Sequence, residues 1–243
     1  MSRLSFKNFA SLAKYSNNLL QISGRNELME EAEKNIIPDI NNKLELDKNH
    51  ELLDIGCGAG NLTILLMDEV KHITANDSEE CLDLFKSRIN ENNNVSFRPG
   101  NFQDINISKH FDRILCYSVL HYLTNEKEVF DFITKALKLL VPGGKALFSD
   151  IPNSSKKERF LKGNYGKKID QEYRSLLKKT HHSKETVNYA EKDEELVQFD
   201  DDLLIRILKE TRGNGYHSYV LDQSTNLCLG YTREDILIVK PED

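Results

Sequence analysis

The residues best placed to do chemistry begin with Gly56-Cys57-Gly58-Ala59-Gly60, directly after the apolar run Glu51–Ile55. Glycine accepts positive φ and lets a ligand approach the backbone. A strand that turns through such glycines into a helix presents free N–H groups to an anionic or polar ligand. By itself the loop is also consistent with a tight structural turn. Asp54 stands two residues before the first glycine, and Asp77 lies 17 residues beyond the last, at the predicted end of the next strand. An acid there can accept both hydroxyls of a ribose. Ser78 follows it as a helix cap, a role compatible with ribose binding. Three histidines are candidates for acid–base work. His121 follows the fourth predicted strand, where ligands bind in open α/β sheets, although a histidine opening a loop often bonds only the backbone. His181 and His182 fall in a polar stretch and are either bases or surface residues.

The elements that would position these groups alternate. Residues 1–48 read as a polar helical cap, with apolar positions at Leu28, Ile36, Ile37, Ile40 and Leu44 spaced for a helix over 25–44. Strands are expected at 51–55, 72–75, 95–98, 113–117 and 145–149, with helices at 61–68, 79–90 and from Asn125 to about Leu140. Asn125 with Glu128 three residues later resembles a capping box, and Val141-Pro142-Gly143-Gly144 should stop that helix. This β-α rhythm predicts a parallel, doubly wound sheet. It breaks over 152–199, a polar insertion, and resumes with a helix at 201–210 and two β-like runs at 216–221 and 235–239.

Taken together, these residues resemble the core motifs of class I, Rossmann-like S-adenosylmethionine-dependent methyltransferases. The loop reads Gly56-x-Gly58-x-Gly60, not the G-x-G-x-x-G of dinucleotide enzymes. Pro99-Gly100-Asn101-Phe102 resembles the family's adenine-contacting loop, the run from Phe111 to Leu123 its fourth-strand motif, and Leu139-Leu140-Val141-Pro142-Gly143-Gly144 its turn before strand five. The resemblance covers about residues 50–151 and implies one domain over 1–243: a helical cap at 1–48, a cofactor core at 49–151, a substrate lid at 152–199, and a helix and strands at 200–243 completing a seven-stranded, mostly parallel sheet. It implies that Gly56 and Gly58 pack against the amino-acid end of S-adenosylmethionine and Asp77 binds the ribose hydroxyls, with Asp54, Cys57 and Ser78 also among the cofactor-binding residues. It places Asn101 and Phe102 at the adenine, Tyr117 near the methionine portion, and Tyr15 closing over the cofactor from the N-terminal helix. The family often has Asp where this chain has Asn101, and an amide can still bond an adenine edge. S-adenosylhomocysteine would be the product, and no metal is expected.

A formal net charge of -6 makes the chain a poor default nucleic-acid binder. The four cysteines, Cys57, Cys81, Cys116 and Cys228, form no C-x-x-C pair, which excludes the usual zinc and disulfide frameworks. No apolar run reaches the roughly 20 residues that span a bilayer, and a cytoplasmic protein without membrane contact is expected. Residues 154–184 are locally basic, with ten Lys or Arg against Glu158, Asp170 and Glu172. They read either as a solvated helical surface or as a reader of an anionic acceptor. Aromatics are sparse there, so a small phosphorylated, nucleotide-linked or sugar-type acceptor is favoured over RNA. Modification of a surface polysaccharide or a metabolite would fit. The alternatives are an RNA or protein methyltransferase that docks through the insertion, and a non-catalytic cofactor-binding or scaffold protein. The glycine spacing disfavours a dehydrogenase.

Overall fold

Seven strands form one sheet in the order β3-β2-β1-β4-β5-β7-β6. They are β1 (Glu51–Ile55), β2 (His72–Asp77), β3 (Val95–Pro99), β4 (Phe111–Tyr117), β5 (Leu140–Pro152), β6 (His217–Asp222) and β7 (Arg233–Val239). The computed structural model describes residues 3–15, 19–23, 25, 27–90, 94–178 and 195–242. All strand pairs from β3 to β5 are parallel, and β7 runs antiparallel to both β5 and β6. The expected seven-stranded, mostly parallel sheet is thus the observed one.

Alternation along the strands divides the core, because successive side chains point to opposite faces. Leu53, Ile55, Ile114, Cys116 and Phe148 pack with Phe132, Ile133 and Ile207 on one face. Leu52, Leu115, Tyr117 and Leu147 pack with Ile36, Ile40 and Leu44 on the other. The first face is covered by α7 (Glu126–Leu137) and α10 (Asp201–Gly213), the second by α4 (Ile36–Leu44).

The N-terminal cap is more broken than the periodicity suggests. It comprises α1 (Arg3–Tyr15), α2 (Leu19–Ile22), a 3₁₀ turn (Glu27–Met29), α3 (Glu30–Glu33) and α4. The helix after β1 is likewise short, α5 (Thr63–Leu66) followed by a 3₁₀ turn, and α6 (Glu79–Lys86) stops four residues before its expected end. Ser78 caps α6 through its hydroxyl, which accepts from the Cys81 N–H at 3.2 Å. Asn125 caps α7 at 3.0 Å. Glu128 reaches back to the Thr124 N–H at 2.9 Å, one residue earlier than the usual box partner.

The Pro-Gly-Gly segment is a correction. It lies inside β5, and α7 already ends at Leu137. Phe111 pairs with Leu140 and Arg113 with Lys145, so the residues between are looped out of the ladder, with Gly143 at φ 73°. The polar insertion forms α8 (Ser154–Lys162) and α9 (Asn164–Leu177).

Candidate functional site

The strand order reverses between β1 and β4, which lie side by side at the sheet centre. The crevice opens at such a reversal, beyond the carboxyl ends of the strands. A cavity there is lined by Asp54, the loop residues Gly56 to Ala59, Asp77, Cys81 and the β4 exit Tyr117, Ser118, Val119 and Tyr122. Phe9, Ile22, Ser23 and Arg25 close it from the N-terminal side.

The loop shape follows from its glycines. Gly56, Gly58 and Gly60 all have positive φ. A Cβ on Gly56 would stand 2.4 Å from Val119, and one on Gly60 2.5 Å from the Phe85 ring, whereas one on Gly58 would meet nothing within 4 Å. The outer two glycines therefore serve packing, and Gly58 leaves open space on the cavity side. Asp77 fastens the loop to β2. Its Oδ2 accepts from the Gly58 N–H at 2.8 Å and its Oδ1 from the Ser78 N–H at 2.7 Å. Each carboxylate oxygen keeps a second lone pair for a ligand hydroxyl. Burial raises the Asp77 pKa, opposed by those two backbone bonds.

Asp54 is buried under the loop, where its Oδ2 accepts from the Thr63 hydroxyl at 2.6 Å. Burial pushes its pKa up to about 7, with the Thr63 bond opposing and Asp77 adding. A carboxyl whose folded pKa lies above its unfolded value of 3.8 stabilises the fold fully only below about pH 4, and that contribution is lost as pH rises towards 7. Asp54→Asn keeps an oxygen for Thr63 and removes the titration. The melting temperature of the variant should fall less than that of the wild type between pH 4 and pH 7. The difference would reach on the order of 4 kcal/mol at most, and thermal melts across that range check it.

The remaining expected site residues divide. Cys57 and Tyr117 line the cavity, and the Arg25 guanidinium lies 5.4 Å from the Tyr117 ring centroid. Phe102 does not face the cavity. It is a core residue, 4.9 Å from Phe132 between centroids, with the Lys135 ammonium 5.1 Å from its own. Asn101 is buried beside it, accepts from the Gln103 N–H at 3.2 Å and is likewise absent from the lining. Tyr15 is 81% exposed, and Phe9 from the same helix takes the place over the cavity, its ring edge-on to Tyr122 at 5.0 Å.

His121 lies tilted against Tyr122, 4.2 Å between ring centroids, with Nδ1 sealed from solvent and unpartnered among the described residues. Burial, aided by the Arg233 charge, pushes its pKa down to about 3. An imidazole that resists charging to that degree is a weak proton acceptor, which argues against His121 as the base. His181 and His182 lie outside the described residues. Among those residues no group of His, Cys, Asp and Glu could hold a metal ion, and no helix is long and apolar enough to cross a membrane.

Much of the insertion's charge is paired. Lys156 bonds Asp222, Arg159 bonds Asp201, and Arg174 bonds Asp170. No described residue of the insertion lines the cavity. The cavity residues that sequence reasoning missed are chiefly Phe9, Arg25 and Tyr122. Only Tyr122, beside His121 at a strand exit, carried a local signal.

Residues 52–144 match the family model described as a methyltransferase domain. An uncharacterized methyltransferase of Staphylococcus carnosus is 32% identical over 116 residues, 48% of this chain and 54% of that relative. The N-methyltransferase NodS from Bradyrhizobium japonicum, solved in complex with S-adenosyl-L-homocysteine, shares the fold at a TM-score of 0.61 and 16% identity, over 97% of this chain and 99% of that one. Phosphoethanolamine N-methyltransferase 1 of Haemonchus contortus, solved with phosphoethanolamine and S-adenosylhomocysteine, aligns at a TM-score of 0.70 and 17% identity, over 98% of this chain and 49% of that one. The chain spans about half the length of the curated relatives it matches.

Proposed function

We propose that the protein, whose residues 52–144 match a methyltransferase domain, moves a methyl group from S-adenosylmethionine to a small-molecule acceptor. The observation that carries this reading is the meeting of the glycine turn and Asp77 in one cavity at the β1/β4 reversal. The open space over Gly58 fits a ligand lying against the backbone.

In this reading Gly56 and Gly58 hold the amino-acid end of the cofactor, with Tyr117 and Arg25 beside it. The Asp77 carboxylate takes the ribose hydroxyls. Asp54 and Ser78 act from behind the loop, through Thr63 and the α6 cap. When bound, the cofactor supplies an activated methyl group on a sulfonium. The protein's part is to align the acceptor in line with it, and alignment can be worth roughly 7–11 kcal/mol.

The acceptor is small because the cavity is closed on one side by the N-terminal residues Phe9, Ile22 and Arg25. A phosphorylated, nucleotide-linked or sugar-type compound, in metabolite or polysaccharide modification, would suit the exposed Lys157, Lys162, Lys167 and Lys178 of the insertion. With Lys156, Arg159 and Arg174 paired to Asp222, Asp201 and Asp170, docking of RNA or of a protein there has less to support it.

The test is release of S-adenosylhomocysteine from S-adenosylmethionine in the presence of sugar phosphates, nucleotide sugars and phosphorylated amines, against a total RNA sample and a protein lysate. Turnover with a small acceptor supports the reading. Labelling confined to RNA or protein would replace it.

A further inference from the structure

At the carboxyl ends of β4 and β5 stand two non-glycine residues with left-handed backbones, Ser118 at φ 58° and Asp150 at φ 61°. Such conformations are costly for residues with a Cβ and persist where the surroundings enforce them, most often at functional sites. The two side chains are joined, the Ser118 hydroxyl donating to Asp150 Oδ2. The Asp150 peptide is held from both sides. Its N–H donates to Asp235 Oδ1 at 2.9 Å, and its carbonyl accepts from Arg233 Nη1 at 3.1 Å. Asp235 is in turn held by Gln223 at 2.9 Å and by Lys43 at 2.6 Å. The β5 ladder shifts register at this point, between Phe148 and Ile151, which turns Asp150 out of the strand's alternation. Ser118 lines the cavity next to Tyr117 and Tyr122.

We propose that Asp150 is the acceptor-binding carboxylate, and that it receives a proton from a small amine whose nitrogen takes the methyl group. This rests on the methyltransferase reading above. The location fits, since the carboxylate is bonded to Ser118 of the cavity wall and stands on β5, across β4 and β1 from the strand that carries Asp77. The choice of an amine follows from the groups facing Asp150, which are Arg233, Arg25, Asp235, Ser118, Tyr117, Tyr122 and the Cys228 thiol. Arg25 is paired with Glu33 at 3.0 Å, and Arg233 Nε comes no nearer to the carboxylate than 3.7 Å. Burial raises the Asp150 pKa, so the group gains from an arriving cation or proton. An ammonium supplies both. A hydroxyl acceptor brings no positive charge and, being far less acidic than an ammonium, needs a stronger base, and the imidazole of His121 resists protonation.

The step balances. The ammonium gives one proton to the Asp150 carboxylate. The freed nitrogen lone pair forms the N–C bond as the S–C bond breaks, and that electron pair stays on sulfur. The sulfonium becomes a neutral thioether, the product leaves as the methylated ammonium, and Asp150 returns its proton to water.

The experiment measures S-adenosylhomocysteine release with ethanolamine, phosphoethanolamine and glucosamine as amine probes, and with catechol and N-acetylglucosamine as probes lacking the amine. Asp150→Asn and Ser118→Ala are compared with wild type, since Asn tolerates a left-handed backbone and the alanine variant removes only the joining hydroxyl. Turnover is expected with an amine probe. Asp150→Asn should lower kcat about 10²–10⁴-fold and flatten the acid limb of the kcat/KM profile, with S-adenosylhomocysteine affinity within about twofold of wild type. Methylation confined to the probes lacking an amine, no turnover with any amine, or a wild-type rate in Asp150→Asn overturns the proposal. Failure of folded wild type to bind S-adenosylhomocysteine would instead remove the reading beneath it.

Discussion

Replacing Gly60 by alanine should lower the melting temperature by roughly 5–15 °C, whereas the same change at Gly58 should cost only about 2–6 °C and act mainly on cofactor binding. Both glycines have positive φ, so both variants bear a backbone penalty of about 1–2 kcal/mol. They differ in what the new methyl meets. At Gly60 it would stand 2.5 Å from the ring of Phe85, which is fully buried and packs edge-on against Phe97 at 5.2 Å. That ring cannot swing aside without opening the core, and overpacking adds about 1–3 kcal/mol. At Gly58, which lines the cavity, the methyl meets nothing within 4 Å. Roughly tenfold or greater loss of S-adenosylhomocysteine affinity should accompany it. Thermal melts and calorimetry on the two variants separate the packing role from the binding role. Equal behaviour of the two would show that this division of the loop is mistaken.

Asp77→Ala should weaken S-adenosylhomocysteine binding by about 10²–10⁴-fold, two charge-assisted ribose bonds at about 1.5–3 kcal/mol each being lost together. The effect on stability is smaller than the number of bonds suggests. Removal leaves the Gly58 and Ser78 N–H groups without their acceptor, but it also removes a desolvated carboxylate whose pKa burial has raised. The two contributions oppose each other. Asp77→Asn should fall between, because its amide offers one acceptor where the carboxylate offers two. Calorimetric titration of the three proteins tests the ordering. Wild-type affinity in the alanine variant would remove Asp77 from the ribose.

The strand–turn–helix at 51–60 and the acid at the end of the next strand were legible in the sequence because both are local. Glycine spacing fixes the turn, and a parallel sheet brings neighbouring strand ends together. The parallel, doubly wound character of the sheet followed from the alternation of elements, whereas the order of its strands did not. Side-chain direction was less accessible. Phe102 occupies a motif position, yet its ring turns into the core against Phe132. Tyr15 and Phe9 share a helix six residues apart, about 240° around its axis at 100° per residue, so only one of them can face the cavity. The insertion looked unpaired because its partners are distant in sequence. Lys156 meets Asp222 and Arg159 meets Asp201, acids that a window over 154–184 does not contain. Arg25, Asp150 and Arg233 share one end of the sheet for the same reason, and no spacing rule joins three residues so far apart.

The most direct measurement is calorimetric titration of the folded wild-type chain near pH 7.5 with S-adenosylmethionine, S-adenosylhomocysteine and NAD in parallel. Saturable binding of the first two, with no heat from NAD, is the expected result and would place a methyl donor in the cavity between the glycine turn and Asp77. A folded chain that binds neither sulfur compound, or that binds NAD in their place, would contradict the methyltransferase reading.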